Sequence, residues 1–503
     1  MPKQSIYNNG FSKNDMRDCV LCESPLCSAK CSKGLDPGKI LRSIWFDNSE
    51  YASISLPEKN PCIDCDAPCE KGCIKSGKVS IKELINRLYE LKSVNHEVEK
   101  IDYSCLKTQI CGIPLENPFL LSSSVVASTY DMCARAFEAG WAGICFKTIT
   151  SFQVHEASPR FSAIEGDGGE IVGFKNVEQL SNHSVEEDMK ILHDLKTNYP
   201  SKFIMASIMG QNEEEWEYLA AECERNGADA VELNFSCPNM SEGGLGSDIG
   251  QVPELVERYT RAAKSRCNIP VLVKPTPNVD NMTPAADAAI RGGADGFAAI
   301  NTIKSITGIN IHTYVPEPAV HGMSALGGYS GPAVKPIALR FVMELAKNPK
   351  LDGRHISGMG GVETWVDALE FILLGAESIQ VTTAVMKYGY RIVEDLIDGL
   401  ALYMNQKGLK SIIELAGQSL DFVNSSTDVL ERDTILFPHF DKDKCIGCGR
   451  CVISCRDGGH QALELTKDRQ VKFSGKKCVG CHLCVHVCPQ KAVSPAKKRF
   501  SPS

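Results

Sequence analysis

From about residue 115 the chain alternates short β-branched or apolar runs with longer helical stretches. Strands joined through helices run parallel in one sheet, so this alternation leaves few architectures open. Eight candidate strands begin at "FLLSSS", "GICFKT", "FIMASI", "AVELNFS", "VLVKP", "GFAAIN", "HISGMGG" and "SIQVTTA", with helical patterns such as "MCARAFEAG" and "PAADAAIRGG" between them. Eight βα units over roughly 250 residues is the size of a TIM (β/α)8 barrel, whose catalytic groups sit just after the strands on the C-terminal face.

The whole chain has 503 residues, too many for one core, and suggests roughly three domains. We place a cysteine-rich N-terminal segment and its connector at 1–100, the α/β barrel at 101–425 and a second cysteine-rich domain at 436–503. With 62 acidic against 54 basic residues, a net charge of -8, there is no positive field for nucleic acid or an anionic membrane. A small-molecule substrate is the better expectation. No run of 18 apolar residues occurs, and the opening "MPKQSIYNNGFSKND" lacks the apolar core of a signal peptide, so we expect the cytoplasm.

The 23 cysteines have to be explained in that reducing compartment, where thiols more often hold metal than form disulfides. Eight lie between Cys19 and Cys73 and eight between Cys445 and Cys488. The C-terminal set reads "CIGCGRCVISC" (Cys445, Cys448, Cys451, Cys455) and "CVGCHLCVHVCP" (Cys478, Cys481, Cys484, Cys488). That is the spacing of a bacterial two-cluster ferredoxin, in which each fourth cysteine ligates the other cluster. Cys445, Cys448, Cys451 and Cys488 are then expected to hold one [4Fe-4S] cluster, and Cys478, Cys481, Cys484 and Cys455 the other. Arg456 stands where that pattern has proline, which weakens the turn and not the ligand set. The N-terminal runs "CVLCESPLCSAKC" (Cys19, Cys22, Cys27, Cys31) and "CIDCDAPCEKGC" (Cys62, Cys65, Cys69, Cys73) count as two further sites of four. Their gaps are not those of a ferredoxin, and zinc stays a rival there. After them "SIKELINRLYELK" carries Ile81, Leu84, Ile85, Leu88 and Leu91 as a helical stripe, with Ser80 and Glu83 as a capping box.

The strand ends supply Lys147 and Thr148, Asn234 with Ser236 and Cys237, Lys274, and Asn301 with Thr302. "GMGGVE" and "VTTAVM" end the last two strands, where the fold commonly binds a phosphate on backbone N–H groups. Lysines beside phosphate turns favour FMN. The near-match to a dinucleotide motif, "GLGSDIG", has one residue too many. Gly243, Gly244, Gly246 and Gly250 read instead as hinges of a loop carrying Cys237.

These stretches resemble the FMN barrel of dihydropyrimidine dehydrogenases, particularly the bacterial subunit that works beside a separate flavoprotein. The match runs through "RAFEAGWAGICFKT", "NVEQLS", "ASIM", "ADAVELNFSCP", "PELV", "KPTPNV", "GGADG", "NT", "GGYSGPAVKPIALR" and "GMGG", nearly all of residues 113 to 410, and extends to the ferredoxin-like segment. The resemblance implies that Cys237 is the general acid and base at the pyrimidine C5 while FMN N5 exchanges hydride with C6. Asn176, Asn234, Asn301 and Thr302 hold the ring, completed by Glu178 and Ser236. Lys147, Thr148, Lys274 and Ser123 lie by the flavin, and Gly331, Gly360, Gly361, Thr382 and Thr383 serve its phosphate end. An Asn amide offers one donor and one acceptor group, which suits the alternating edge of uracil. A thiol of ordinary pKa near 8.5 is mostly protonated at neutral pH and can donate to a developing carbanion.

The long members of that family carry their own FAD and NADPH domains, for which the ~45 residues between Cys73 and the first barrel strand leave no room. Electrons are therefore expected to pass through an NAD(P)H/FAD flavoprotein subunit or a ferredoxin, in a homodimer or heterotetramer. Two alternatives stand beside this reading. A dihydroorotate dehydrogenase-like enzyme would use Lys175 for the substrate carboxylate, and an electron-transfer scaffold would need no acid at all. A tRNA substrate fits poorly with four clusters and an acidic balance.

Overall fold

The computed structural model describes residues 10–75, 78–93, 100–166, 169–240 and 244–500. It divides into two compact units, Ser5–Asp421 and Phe422–Ser503. In the first, eight strands form a closed barrel: β1 (Phe119–Leu121), β2 (Gly143–Ile149), β3 (Phe203–Ile208), β4 (Ala230–Phe235), β5 (Val271–Pro275), β6 (Gly296–Ala299), β7 (His355–Met359) and β8 (Ser378–Val381). Each pairs in parallel with its neighbour in sequence, and β8 closes on β1. These are the eight strands expected from the alternation. Their residues are buried on both faces, which is why they read as nearly continuous apolar runs. The β4–β5 register sets Asn234 beside Lys274 at the C-terminal mouth.

Over that mouth lies a four-stranded antiparallel sheet that the alternation does not announce. Its order is Ile303–Ser305, Gly327–Ser330, Ile171–Asn176, Phe161–Glu165. It is assembled from two excursions, one after β2 and one after β6. "IKS" is too short and "GGYS" too glycine-rich to signal a strand on their own.

The cysteine-rich N-terminal stretch packs within the same unit around its own core, which includes Leu41, Ile44, Leu84 and Leu88. Its connector helix runs Ile81–Lys92 with Ile81, Leu84, Ile85 and Leu88 of the expected stripe buried and Leu91 partly buried. The Ser80–Glu83 capping box does not form. Instead the Glu70 carboxylate accepts the Lys82 N–H at 2.8 Å, so a neighbouring loop satisfies the first turn. Arg42 fastens this stretch to the barrel: its Nε donates to Asp395 Oδ2 at 2.7 Å, and Ser43 Oγ donates to Oδ1 at 2.8 Å. The Asp395 side chain is only 1% exposed. Removing Arg42 leaves that carboxylate buried and unpaired, so Arg42→Ala is expected to destabilise the barrel unit by about 3–5 kcal/mol. Urea unfolding followed by tryptophan fluorescence measures this; a midpoint matching the wild type would deny the pair its role.

In the second unit, Ile435–Phe440 pairs antiparallel with Val493–Phe500 and Leu463–Leu465 with Val471–Phe473. Helices Arg450–Gly458 and Leu483–His486 pack on a core containing Cys451, Leu463, Cys484 and Val493. The first helix continues through Cys455 and Arg456, the position where the ferredoxin pattern turns at proline. Among the described residues no helix is long and apolar enough to cross a membrane.

Candidate active site

The barrel mouth and the sheet above it enclose a cleft of about 1120 Å³. It is lined by fifteen of the sixteen residues assigned from the sequence to catalysis, ring and flavin. Only Ser236 stays out of it. Fully buried behind the wall, Ser236 donates to Asn234 Oδ1 at 2.9 Å and accepts from Asn301 Nδ2 at 2.8 Å. Asn234 in turn donates to Thr148 Oγ1 at 2.9 Å, whose hydroxyl meets that of Ser207. One chain of hydrogen bonds thus fixes two cleft-lining amides and the wall of β2 and β3.

On the other side Asn176, from the inserted sheet, donates to the Gly328 carbonyl at 3.2 Å. Asn239, two residues beyond Cys237, donates to the Asn176 side chain at 3.1 Å and to the Glu178 carbonyl at 2.7 Å. Its own carbonyl oxygen is buried without a donor. Asn239 and Gln380 are cleft residues that the strand-end inventory misses. Gln380 donates to Ser357 Oγ while its carbonyl oxygen has no partner. A polar residue in the buried strand "SIQV" was the available signal for it.

Cys237 is 6% exposed. Burial pushes its thiol up to about 11; the Asn239 N–H works against that rise, and the Glu156 carboxylate adds to it. The proton therefore stays on sulfur across the neutral range. Ring reduction is expected to show no break from this thiol between about pH 6 and 9, while the reverse reaction, which needs the thiolate, climbs about tenfold per pH unit. Stopped-flow flavin kinetics in both directions read this, and a fall in ring reduction setting in near pH 8.5 would put the thiol back at its ordinary value.

The loop after Cys237 is packed against it. The Ser247 N–H donates to the Cys237 carbonyl at 3.0 Å, and a Cβ on Gly250 would lie 2.0 Å from the Phe235 carbonyl oxygen. Gly246 and Gly250 are thus close-approach residues rather than hinges. Gly244 has open space around it, and Gly243 lies outside the described residues.

Both cations of the cleft carry partners. Lys147 donates to Glu178 at 2.7 Å, and Lys274 donates to Ser123 at 3.0 Å with the fully buried Glu232 carboxylate 3.6 Å away. Lys175 is buried on the opposite face of its strand, donating to the Glu317 carbonyl at 2.6 Å, and does not line the cleft. At the far end the Gly360–Gly361 turn, Gly331 and the start of helix Thr383–Tyr388 bring backbone N–H groups together. Amides gathered in this way suit a phosphate, and the unpartnered Gln380 carbonyl suits the N–H edge of an isoalloxazine. The residues fit FMN.

The thiols group in fours, although among the described residues no three of them converge on a single metal position. Cys451 lies within electrostatic reach of Cys488, Cys448 and Cys445, and Cys484 of Cys451 as well as of Cys481, Cys478 and Cys455. Backbone N–H groups point at the sulfurs of Cys455, Cys478 and Cys488 at 3.3–3.4 Å. At the N-terminus the two runs exchange their last members. Cys19 and Cys27 gather with Cys22 and Cys73, and Cys62 and Cys69 with Cys65 and Cys31.

A closed parallel barrel with a buried thiol in a polar cleft at its mouth, followed in the chain by a ferredoxin-spaced unit, fits an iron-sulfur flavin oxidoreductase. A family model described as dihydroorotate dehydrogenase matches residues 105–404, and one described as a 4Fe-4S dicluster domain matches residues 439–494. The NAD-dependent dihydropyrimidine dehydrogenase subunit PreA of Escherichia coli (strain K12) is 50% identical over 396 residues, covering 78% of this chain and 96% of that protein. The catalytic subunit of dihydroorotate dehydrogenase B (NAD(+)) of Pyrococcus furiosus is 38% identical over 312 residues, 62% of this chain and 98% of the relative. A crystal structure of DHODH from Eimeria tenella in complex with ferulenol shares the fold, with a TM-score of 0.53 at 19% identity over 67% of this chain and 94% of that one. The chain belongs to the dihydroorotate dehydrogenase family and, within it, stands with the dihydropyrimidine dehydrogenase subunits. The eight N-terminal cysteines precede the residues matched by either family model.

Proposed function

We propose that this chain is the catalytic subunit of an NAD(P)-linked dihydropyrimidine dehydrogenase, interconverting uracil or thymine and their 5,6-dihydro forms in the cytoplasm. Bound FMN supplies the hydride chemistry at C6. Asn176, Asn234 and Asn301 present paired amide groups to the ring edge, held by the Ser236 and Asn239 hydrogen bonds. Thr302 and Glu178 close the same wall. Cys237 Sγ–H delivers its proton to C5 in ring reduction and recovers one from C5 in the reverse direction, in a site whose packed loop keeps water from the sulfur.

The observation that carries this reading is the pairing of the cleft's cations. Lys147 and Lys274 each face a carboxylate, and among the described residues no unpaired cation lines the cleft. A neutral pyrimidine needs none, whereas the carboxylate of orotate would. The sequence expectation that Lys175 serves that carboxylate is not supported, because strand alternation turns its side chain to the face of the inserted sheet away from the cleft.

The cysteine sets are proposed as four [4Fe-4S] clusters that pass electrons to a separate flavoprotein carrying FAD and binding NAD(P)H, within a homodimer or a heterotetramer. Mixing the anaerobically reduced chain with uracil, thymine and orotate tests the substrate. Flavin reoxidation by uracil or thymine, at least about tenfold faster than by orotate, is expected. Reoxidation by orotate alone would assign the dihydroorotate reaction instead.

A further inference from the structure

Alternation along β4 puts Glu232 on the same inward face as Asn234, one layer deeper in the barrel. Its register partners are Ser207 on β3 and Leu272 on β5. The interior beneath is apolar, with Leu120, Cys145, Met205 and Leu272 in one core cluster. Glu232 is fully buried against it. Ser123 Oγ donates to Glu232 Oε1 at 2.7 Å, and the Lys274 ammonium, which donates to the same hydroxyl at 3.0 Å, lies 3.6 Å from that oxygen. Among the described residues Oε2 is left without a hydrogen bond. The Cys145 thiol nearby brings no charge of its own: burial pushes it well up, and the Glu232 carboxylate adds to that rise.

The proton chemistry assigned to Cys237 makes no use of this carboxylate, and a buried ion pair with one oxygen left bare is a poor way to stabilise a barrel. Its place behind the cleft gives it another use. Lys274 and Ser123 both line the cleft, whereas Glu232 does not, so the carboxylate reaches a bound molecule only through them. Two-electron reduction of FMN with one proton leaves one added negative charge on the ring system. A cation beside the ring favours that form, and an anion opposes it. We infer that Glu232 is a positioning residue for the flavin chemistry: it holds Lys274 through the shared Ser123 hydroxyl and cancels its charge, keeping the reduced flavin a strong hydride donor. This rests on the proposed seat of FMN beside Lys274. In ring reduction both electrons leave the flavin as hydride to C6 while the proton comes from Cys237. The less the cleft favours the reduced flavin, the larger the drive for that transfer. An uncancelled Lys274 would hold the electrons back.

Potentiometric titration of the purified holoprotein, read at the flavin absorption band for wild type, Glu232→Gln and Lys274→Gln, tests the inference. Glu232→Gln keeps the size of the side chain and an acceptor for Ser123 but not the charge. It is expected to raise the ratio of reduced to oxidised flavin at a given potential at least about tenfold, a shift of about 30 mV upward for a two-electron couple. Lys274→Gln is expected to shift the potential downward. A lowered potential in Lys274→Gln beside an unmoved one in Glu232→Gln overturns the inference and leaves the carboxylate a structural anchor for the lysine. A wild-type potential in Lys274→Gln overturns the seat of the flavin beside that lysine, and the inference with it. Should Glu232→Gln not hold flavin, Glu232→Met removes the same charge without an amide to satisfy and is read in the same way. Loss of flavin from both also overturns the inference, since the carboxylate then supports the fold of the wall.

Discussion

Cys237→Ala is expected to lower the rate of pyrimidine reduction by about 10²–10⁴-fold, the contribution of a positioned general acid, with FMN and iron content unchanged. The sulfur contributes little to holding the cleft together. Among the described residues, the loop is held near it through the Cys237 backbone carbonyl and the Asn239 side-chain amide as well as through the Asn239 N–H directed at Sγ. The substitution therefore removes the thiol proton while the cleft-lining asparagines keep their partners. Cys237→Ser, with a hydroxyl far less acidic than the thiol, is expected to fall between the wild type and alanine. Single-turnover flavin reoxidation by uracil separates this from a binding defect, because loss of the acid lowers the limiting rate and leaves its half-saturation in place. Full retention of the limiting rate in the alanine variant would remove Cys237 from the chemistry and revive the electron-transfer scaffold reading.

The second large effect is expected at the phosphate end. Gly361→Ala should lower flavin occupancy at least about tenfold, since the backbone there sits in the left-handed region, which costs an L-residue roughly 1–2 kcal/mol. The glycine's φ is +79°, and a Cβ would lie 2.7 Å from the Gly331 carbonyl oxygen and 3.0 Å from the Lys335 nitrogen. Both obstacles are backbone, so neither can swing aside. Relief requires the turn to separate from Gly331 and from the start of helix Lys335–Ala346, which spreads the amides gathered for the phosphate. Flavin-to-protein absorbance after desalting reads the result, with far-ultraviolet dichroism as the check on fold. Occupancy equal to the wild type would move the phosphate elsewhere in the cleft.

Much of this site is legible in the chain because a parallel barrel places function at strand ends. Lys147, Asn234, Lys274, Asn301 and Thr382 each follow or end an apolar run, and closure of the barrel necessarily turns them toward one mouth. Asn239 and Gln380 escaped notice for different reasons. Asn239 is one polar residue in a polar loop, and its importance lies in reaching Asn176 and Glu178, some sixty residues away in sequence. Gln380 lies within the short buried strand β8, where the pattern of the run does not tell which side chain meets the cleft. The hinge reading of Gly246 and Gly250 missed because close packing and flexibility leave the same letter in the sequence.

What the sequence determined by itself is what local spacing can carry. This comprises the eight barrel strands, the cysteine just after β4, the turns after β7 and β8 and the ferredoxin spacing, each encoded within a few residues of chain. Three matters were decided only by the tertiary structure. The N-terminal thiols exchange Cys31 and Cys73 between their runs, because the connector helix and the loops around it fold the second run back on the first. The inserted sheet brings Asn176 to the loop of Cys237. The same sheet turns Lys175 away from the cleft, since successive side chains of a strand point to opposite faces and which face meets the cleft depends on the strand's partner, not on its own residues.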